Sequence, residues 1–357
     1  MNAPDQQAPV SSGSKNSHSP WLAAWYGKRV WTFLLLPLLL VFILLANVRR
    51  YWILRYTQKR LITPVIIVGN ISVGGTGKTP LLIALVKKLQ QQGFNPGVIS
   101  RGYGGKASHY PYLLNDDSTA IEAGDEPVTI YQQTGCAVCV GSDRVAVARL
   151  LEDQNCDILL SDDGLQHYKL ARDIEIAVVD GQRGLGNGWR LPVGPLREPK
   201  SRLKTVDWVV VNSPADDFTL PGLADVFYVS MQICAQDFIN LESGEKKSAA
   251  EFNSTRVNAV AGIGNPQRFQ HTLSKLGISA ELHAFPDHHA YTASDLQFAN
   301  NFPVVMTEKD AVKCRQFAQP NWFYLPITAS LPDSFWQALS QKLERICEQK
   351  KNIFKSK

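Results

Sequence analysis

The stretch Ser72-Val73-Gly74-Gly75-Thr76-Gly77-Lys78-Thr79 constrains this chain more than any other. It follows the all-apolar run Val65-Ile66-Ile67-Val68 and precedes an amphipathic pattern from about Pro80 to Gln92, so it joins a buried strand to a helix. A glycine-rich turn in that setting aims backbone N–H groups and the positive end of the helix dipole at phosphate oxygens. Ser72 stands where such loops usually carry their first glycine, but Gly74, Gly75 and Gly77 still supply the permissive backbone. Lys78 is placed to reach β- and γ-phosphates and Thr79 to ligate Mg2+. A plain strand-to-helix turn has no need of Lys-Thr, so the loop predicts a bound ATP or GTP.

Strand candidates continue at Gly97–Ser100, Ala137–Val140, Ile158–Leu160, Ile174–Val179 and Trp208–Val211, with a helical pattern at Arg144–Glu152. Strands alternating with helices predict the α/β class: a P-loop NTPase-like, mostly parallel sheet with helices on both faces. Ile158-Leu159-Leu160-Ser161-Asp162-Asp163 ends a strand in two carboxylates, which suits a magnesium ion held beside the phosphates largely through water. From about residue 225 the pattern restarts with strands near Val226–Val229, Val257–Ala261, Val304–Met306 and Trp322–Leu325. A helix from about Asp333 comes after them. This predicts a second, smaller α/β domain.

Residues Val30 to Val48 form nineteen consecutive positions without a charge, about 28 Å as a helix at roughly 1.5 Å per residue. That length predicts a membrane helix, with Pro37 as a potential kink and a re-entrant or interfacial segment as the alternative. Arg49, Arg50, Arg55, Lys59 and Arg60 after the run outnumber Lys28 and Arg29 before it, which places the remainder of the chain in the cytoplasm. The formal charge is +5, and residues 28–60 hold seven cations and no acids, leaving about −2 elsewhere. The basic character belongs beside anionic lipid, and no nucleic-acid partner is expected. Cys136 and Cys139 form a lone CxxC in an apolar strand, which reads as buried reduced thiols.

These readings divide the chain into a disordered tail at 1–20, an anchor with its basic flank at 21–60, a P-loop core at 61–225, a smaller α/β unit at 226–340 and a basic tail at 341–357. Gly262-Ile263-Gly264-Asn265-Pro266 is a poor dinucleotide fingerprint, since Pro266 intrudes and the third glycine is missing. Thr307-Glu308-Lys309-Asp310 partly matches the guanine-reading Asn/Thr-Lys-x-Asp element, with the lysine one place late, and its alternative role is at the second unit's edge of the cleft.

Six motifs occur in an order that resembles the tetraacyldisaccharide 4'-kinase family, the lipid A 4'-kinases of Gram-negative bacteria. They are the VGGTGKTP loop, SRGYGG at Ser100–Gly105, GDEP at Gly124–Pro127, DDGLQH at Asp162–His167, LPVGPLREP at Leu191–Pro199 and FPDHH at Phe285–His289. The resemblance implies transfer of the ATP γ-phosphate to the 4'-hydroxyl of a tetraacylated glucosamine disaccharide 1-phosphate, giving lipid IVA. It implies Asp125 as catalytic base with His288 as its partner, and Lys78 in the chemistry. Arg101, Arg190 and Arg197 are candidates for phosphate on the nucleotide or on the acceptor. Glu198 either orients Arg197 or serves the metal site. An acylated acceptor stays in the bilayer, which gives the anchor a purpose. The rival expectations are a membrane-associated P-loop ATPase or GTPase switch and a nucleotide-gated adaptor.

Overall fold

The structure, a computed structural model, describes residues 20–27, 30–213, 225–252 and 255–355. The disordered tail expected at 1–20 lies outside the described residues except for Pro20, which opens helix α1 (Pro20–Tyr26). Helix α2 (Leu36–Trp52) comes after a 3-10 turn, and Pro37 sits in its first turn, where a missing N–H costs nothing.

The strands of the first half are β1 (Val65–Gly69), β2 (Pro96–Ser100), β3 (Tyr112–Leu113), β4 (Ala137–Val140), β5 (Ile158–Asp162), β6 (Ile174–Asp180), β7 (Trp208–Asn212) and β8 (Tyr228–Ala235). Those of the second half are β9 (Phe238–Asn240), β10 (Lys246–Lys247), β11 (Val257–Ala261), β12 (Ala280–Ala284), β13 (Val304–Thr307), β14 (Trp322–Leu325) and β15 (Ile327–Ser330). The helices after α2 are α3 (Lys78–Gln91), α4 (Ala120–Ala123), α5 (Asp125–Thr134), α6 (Arg144–Asp153), α7 (Pro266–Lys275), α8 (Glu308–Cys314) and α9 (Asp333–Lys355).

A nine-stranded sheet runs β15-β8-β7-β6-β1-β5-β2-β4-β3, parallel from β8 to β4 with antiparallel strands at both edges. Its central strand β1 is buried along its whole length, as a strand covered on both faces must be. Ile66 and Val68 pack with Leu81, Leu85 and Leu89 of α3 on one face, while Val65 and Ile67 pack with Val147 and Leu151 of α6 on the other. The six-stranded second sheet runs β10-β9-β14-β13-β11-β12.

The expected boundary at residues 225/226 does not coincide with these sheets. The strand expected near Val226–Val229 runs Tyr228–Ala235 and pairs with β7 in the larger sheet, and β15 returns to pair antiparallel with β8. The second sheet is therefore inserted between β8 and β15. Helix α9 also closes on the larger sheet, with Phe335, Leu339 and Leu343 buried at four-residue spacing in that core. The basic tail expected from residue 341 is thus a continuation of α9, and Lys350 pairs with Asp173 at 2.6 Å. Alternating local patterns locate strands but cannot say which sheet they join, and that is why the division at 226 and 340 departs from the topology.

Phe335→Ala should destabilise the larger unit by about 3–5 kcal/mol, because it empties a core position far in sequence from the sheet it covers. Urea unfolding measures this, and a loss below about 1 kcal/mol would show that α9 is peripheral.

Candidate active site

Parallel strands put their carboxyl ends on one edge, and the expected site residues gather there. β1 and β5 pair with Val68 opposite Asp162, so the phosphate loop and the paired carboxylates leave adjacent strands side by side. α3 begins at Lys78, which places Lys78 and Thr79 in its first turn. Gly77 has φ +93°, and a Cβ there would stand 2.6 Å from the Asn212 Nδ2 that donates to the Thr76 carbonyl. Ser72 pairs through its backbone with Leu196, and Val73 N–H donates to the Pro195 carbonyl at 2.9 Å. The loop spanning Leu191–Pro199 is therefore a brace for the phosphate loop.

Asp162 is buried, takes a 3.4 Å hydrogen bond from Ser100 Oγ on one oxygen, and has no hydrogen-bond partner on Oδ1. Burial, then the nearby Glu126 carboxylate, pushes it up to about 7 against the pull of Lys78 and Arg144. Asp163, at φ +47°, meets Arg197 at 2.9 Å and Lys78 at 3.6 Å. Burial raises its pKa, but those cations outweigh burial and hold the carboxyl below the usual range. An orphaned buried carboxylate oxygen within reach of the first turn of α3 fits a divalent cation. Among the described residues no cluster of three or more His, Cys, Asp or Glu forms a metal cage. A magnesium ion that keeps phosphate and water ligands needs only one or two carboxylates.

Asp125 opens α5 after Gly124, whose φ is +89° and whose Cβ would stand 2.7 Å from the Tyr103 carbonyl. That close approach packs the SRGYGG loop onto GDEP. Asp125 is buried, and His288 Nδ1 lies 3.0 and 3.1 Å from its two oxygens, although the residues are 163 positions apart. Burial pushes the Asp125 pKa up, but the bond to His288 and the charges of Lys309 and Lys313 hold it low. His288 is raised by the Asp125 bond, with burial and Lys309 opposing. Its own φ of +61° is uncommon outside glycine, and its ring stacks at an angle on Tyr103, 5.1 Å between centroids.

The three candidate arginines are not brought together. Arg197 is at the nucleotide loop through Asp163, Arg101 is exposed after β2, and Arg190 lies 5.3 Å over the Phe42 ring of α2. Glu198 accepts from Gln166 at 2.7 Å and from Tyr168 at 2.5 Å, and pairs with Arg202 at 3.3 Å. Its carboxylate is linked to the Arg197 guanidinium through Gln166, whose Oε1 lies 3.4 Å from Arg197 Nη1.

Three residues at the site escape sequence reasoning. Lys309, in the discounted TEKD element, reaches Glu126, Asp125 and Asp287, so it is spent on carboxylates and not on a guanine base. Its place at the end of β13 is the one local signal. Arg144, in sequence only a helix start, is buried and donates to the Ile99 and Asp162 carbonyls at 3.0 Å. Arg183 donates to the Gly264 carbonyl at 3.1 Å, tying the phosphate-loop side to the inserted sheet. Cys136 and Cys139 are free and buried, and burial pushes the Cys139 thiol up to about 12.

Residues 31–344 match the family model of the tetraacyldisaccharide-1-P 4'-kinase. The chain belongs to this family. It is 47% identical over 338 residues to the tetraacyldisaccharide 4'-kinase of Methylobacillus flagellatus, covering 93% of this chain and 98% of that one. It is 48% identical to the Aeromonas salmonicida enzyme of the same name over 333 residues, 89% and 95% of the two chains. A crystal structure of LpxK from Aquifex aeolicus in complex with ATP superposes with a TM-score of 0.71 at 27% identity, covering 88% of this chain and 99% of that one. All six motifs, from VGGTGKTP to FPDHH, fall inside the matched span of this kinase family.

Because Asp162 carries its proton up to about 7, magnesium-dependent ATP affinity should weaken as pH falls below that value. Asp162→Asn should lose at least about tenfold in that affinity. A native pKa raised above the unfolded one gives stability that is lost as pH rises through 7, so the cation-free variant should unfold at the same or a higher temperature than wild type at pH 8. Calorimetric titration and thermal unfolding test both; a less stable variant at pH 8 would make the carboxylate structural.

Proposed function

We infer that the chain is an ATP-dependent kinase that phosphorylates the lipid A precursor, transferring the γ-phosphate of ATP to the 4'-hydroxyl of a tetraacylated glucosamine disaccharide 1-phosphate to form lipid IVA. Family membership supports the reaction, and one observation carries the assignment of its parts: a buried Asp125 paired with His288 of the inserted unit, beside the phosphate loop. A sugar hydroxyl is a poor nucleophile at neutral pH and gains from a positioned carboxylate base, whereas a hydrolytic switch has water as acceptor.

In this reading the backbone of Ser72 to Thr79 cradles the phosphates, and Lys78 neutralises charge on the transferred group. Thr79 and Asp162, with Asp163 alongside, would hold Mg2+, which offsets charge on the phosphate oxygens when bound. Asp163 also holds Lys78 and Arg197 in position, and Arg197 suits the nucleotide. Arg190, beside Phe42 of α2, suits the 1-phosphate of an acceptor lying in the membrane surface; exposed Arg101 suits either. Asp125 takes the hydroxyl proton. Because His288 and Lys309 come from the inserted unit and Asp125 from the P-loop core, movement of that unit relative to the core would make or break the base.

The apolar helical stretch Trp31–Thr57 has a mean hydropathy of 2.4 and is long enough to cross a membrane. Its packing favours a place in the interface instead. Thr32, Leu39, Phe42, Ala46, Arg50 and Ile53 form one buried or partly buried stripe along its length, while Leu40, Leu44, Leu45 and Val48 are exposed. The neighbours of the stripe are the irregular loop carrying Arg190 and the Tyr168 ring under Arg50. A spanning pose would draw that irregular, polar loop into hydrocarbon, where its backbone has no partners. The helix therefore lies on the inner membrane with its exposed leucines in lipid and the basic flank on head groups, on the cytoplasmic side.

With ATP carrying a radiolabelled γ-phosphate and a disaccharide 1-phosphate acceptor, label should enter the extracted lipid; release only as inorganic phosphate would sink the kinase reading. Asp125→Asn should cut kcat by about a hundredfold to ten-thousandfold. Leu44→Glu combined with Leu45→Lys should release the enzyme from anionic vesicles in flotation assays while leaving its unfolding temperature unchanged. Undiminished vesicle binding would contradict the interfacial pose.

A further inference from the structure

Lys309 enters the site from the inserted unit, in the first turn of α8. Its Nζ lies 3.1 Å from Asp287 Oδ1, 3.4 Å from Glu126 Oε1, 3.8 Å from Asp125 Oδ2 and 3.4 Å from His288 Nε2. The last contact decides a proton position. An ammonium has only protons to offer, so it meets a ring nitrogen favourably when that nitrogen carries a lone pair. The other ring nitrogen, Nδ1, faces both oxygens of Asp125, which offer only lone pairs. Asp287 Oδ1 stands 3.8 Å from the same Nε2, farther than the ammonium, so the nearer contacts favour, for the neutral ring, the tautomer with hydrogen on Nδ1.

We propose that Lys309 is a positioning residue of the phosphoryl-transfer site, whose ammonium opposes protonation of His288, favours its Nδ1–H tautomer and so leaves the proton of the attacking hydroxyl to Asp125. This role rests on the pairing of Asp125 with His288 as the catalytic base. As the hydroxyl oxygen bonds to the γ-phosphorus and the bond from that phosphorus to the departing ADP oxygen breaks, the hydroxyl proton passes to an Asp125 oxygen. An imidazolium in place of the neutral ring would tie the carboxylate into a charge-assisted pair and make it a weaker base.

The groups facing the imidazole come from four elements. Asp125 and Glu126 belong to α5, Asp287 to the ring's own loop, and Tyr103 to the loop after β2. Lys309, Lys313 and Asp310 belong to α8, where Lys313 pairs with Asp310 at 2.9 Å and stands 3.9 Å from Asp125. Removing Lys309 takes the ammonium away from Glu126 and Asp287 and leaves Lys313, 3.9 Å from Asp125, as the α8 cation near that carboxylate. Those carboxylates then favour a proton on His288.

The test is Lys309→Met against Lys309→Arg in the full-length enzyme, with folding checked by circular dichroism. The Met variant should lose at least about tenfold in kcat. The acid limb of its kcat/KM profile should move about one unit or more to higher pH, and Arg should restore most of both. Nitrogen NMR of histidine-labelled protein should show the Nδ1–H form as the neutral species of His288 in wild type, and a larger imidazolium fraction in the Met variant at the same pH. An unchanged acid limb and an unchanged His288 signature in Lys309→Met would overturn the proposal; if Met does not fold, Lys309→Gln is compared in the same way. Normal turnover by both Asp125→Asn and His288→Ala would instead overturn the base assignment itself. Dead Asp125 and His288 variants beside an unaltered Lys309→Met profile remove only the role of Lys309.

Discussion

The parallel pairing of β1 with β5 is the constraint on which the rest depends. Four consecutive residue pairs, from Val65 with Leu159 to Val68 with Asp162, bring the two strands to the same edge of the sheet in the same direction. A slip of one residue would turn the alternate side chains of β5 to the opposite face and take the Asp162 carboxylate away from the phosphate loop. The apolar run of β1, buried on both faces, makes such a slip expensive. The register of two short strands therefore sets the distance between the cation that meets phosphate and the carboxylate that suits a metal.

Around that edge the protein separates carboxylates by environment. Half-buried Asp163 is held low by Lys78 and Arg197 and buried Asp125 by its bond to His288 and the charges of Lys309 and Lys313, whereas burial, with Glu126 nearby, pushes Asp162 up to about 7. Three aspartates of the same chemistry thus sit in three environments: one against two cations, one against an imidazole, and one with a carboxylate oxygen that has no hydrogen-bond partner. The same irregular loop that braces the phosphate loop through Pro195 and Leu196 also holds the apolar helix. Pro192 accepts from Trp25 Nε1 at 3.0 Å, and Arg190 lies over Phe42. The apolar helix and the phosphate loop are thus joined by a few residues of backbone in one loop, Arg190 to Leu196.

Much of this is legible in the chain itself. The phosphate loop, the strand ending in Asp162 and Asp163, the apolar run at Val30–Val48 and most strands are local patterns, and local patterns are fixed by side-chain period and by glycine's conformational freedom. Lys309 escapes for the complementary reason. Its spacing invites comparison with a guanine-reading element, while its partners Glu126 and Asp287 are distant in sequence and give no local signal. Arg144 reads as the start of a helix because nothing in its neighbours announces the carbonyls of Ile99 and Asp162.

The sequence by itself determined the kinase family with its ATP, a glycine-rich loop between a buried strand and a helix, and an apolar helix before it. Only tertiary structure decided that the second sheet is inserted between β8 and β15, that α9 belongs to the first core, and that His288 reaches Asp125 with Lys309 behind it. It also decided that the apolar helix lies along the protein on one stripe. The physical reason is the same in each case: strand pairing, ion pairing and helix docking depend on which distant surfaces are complementary, and chain-local periodicity contains no information about the partner.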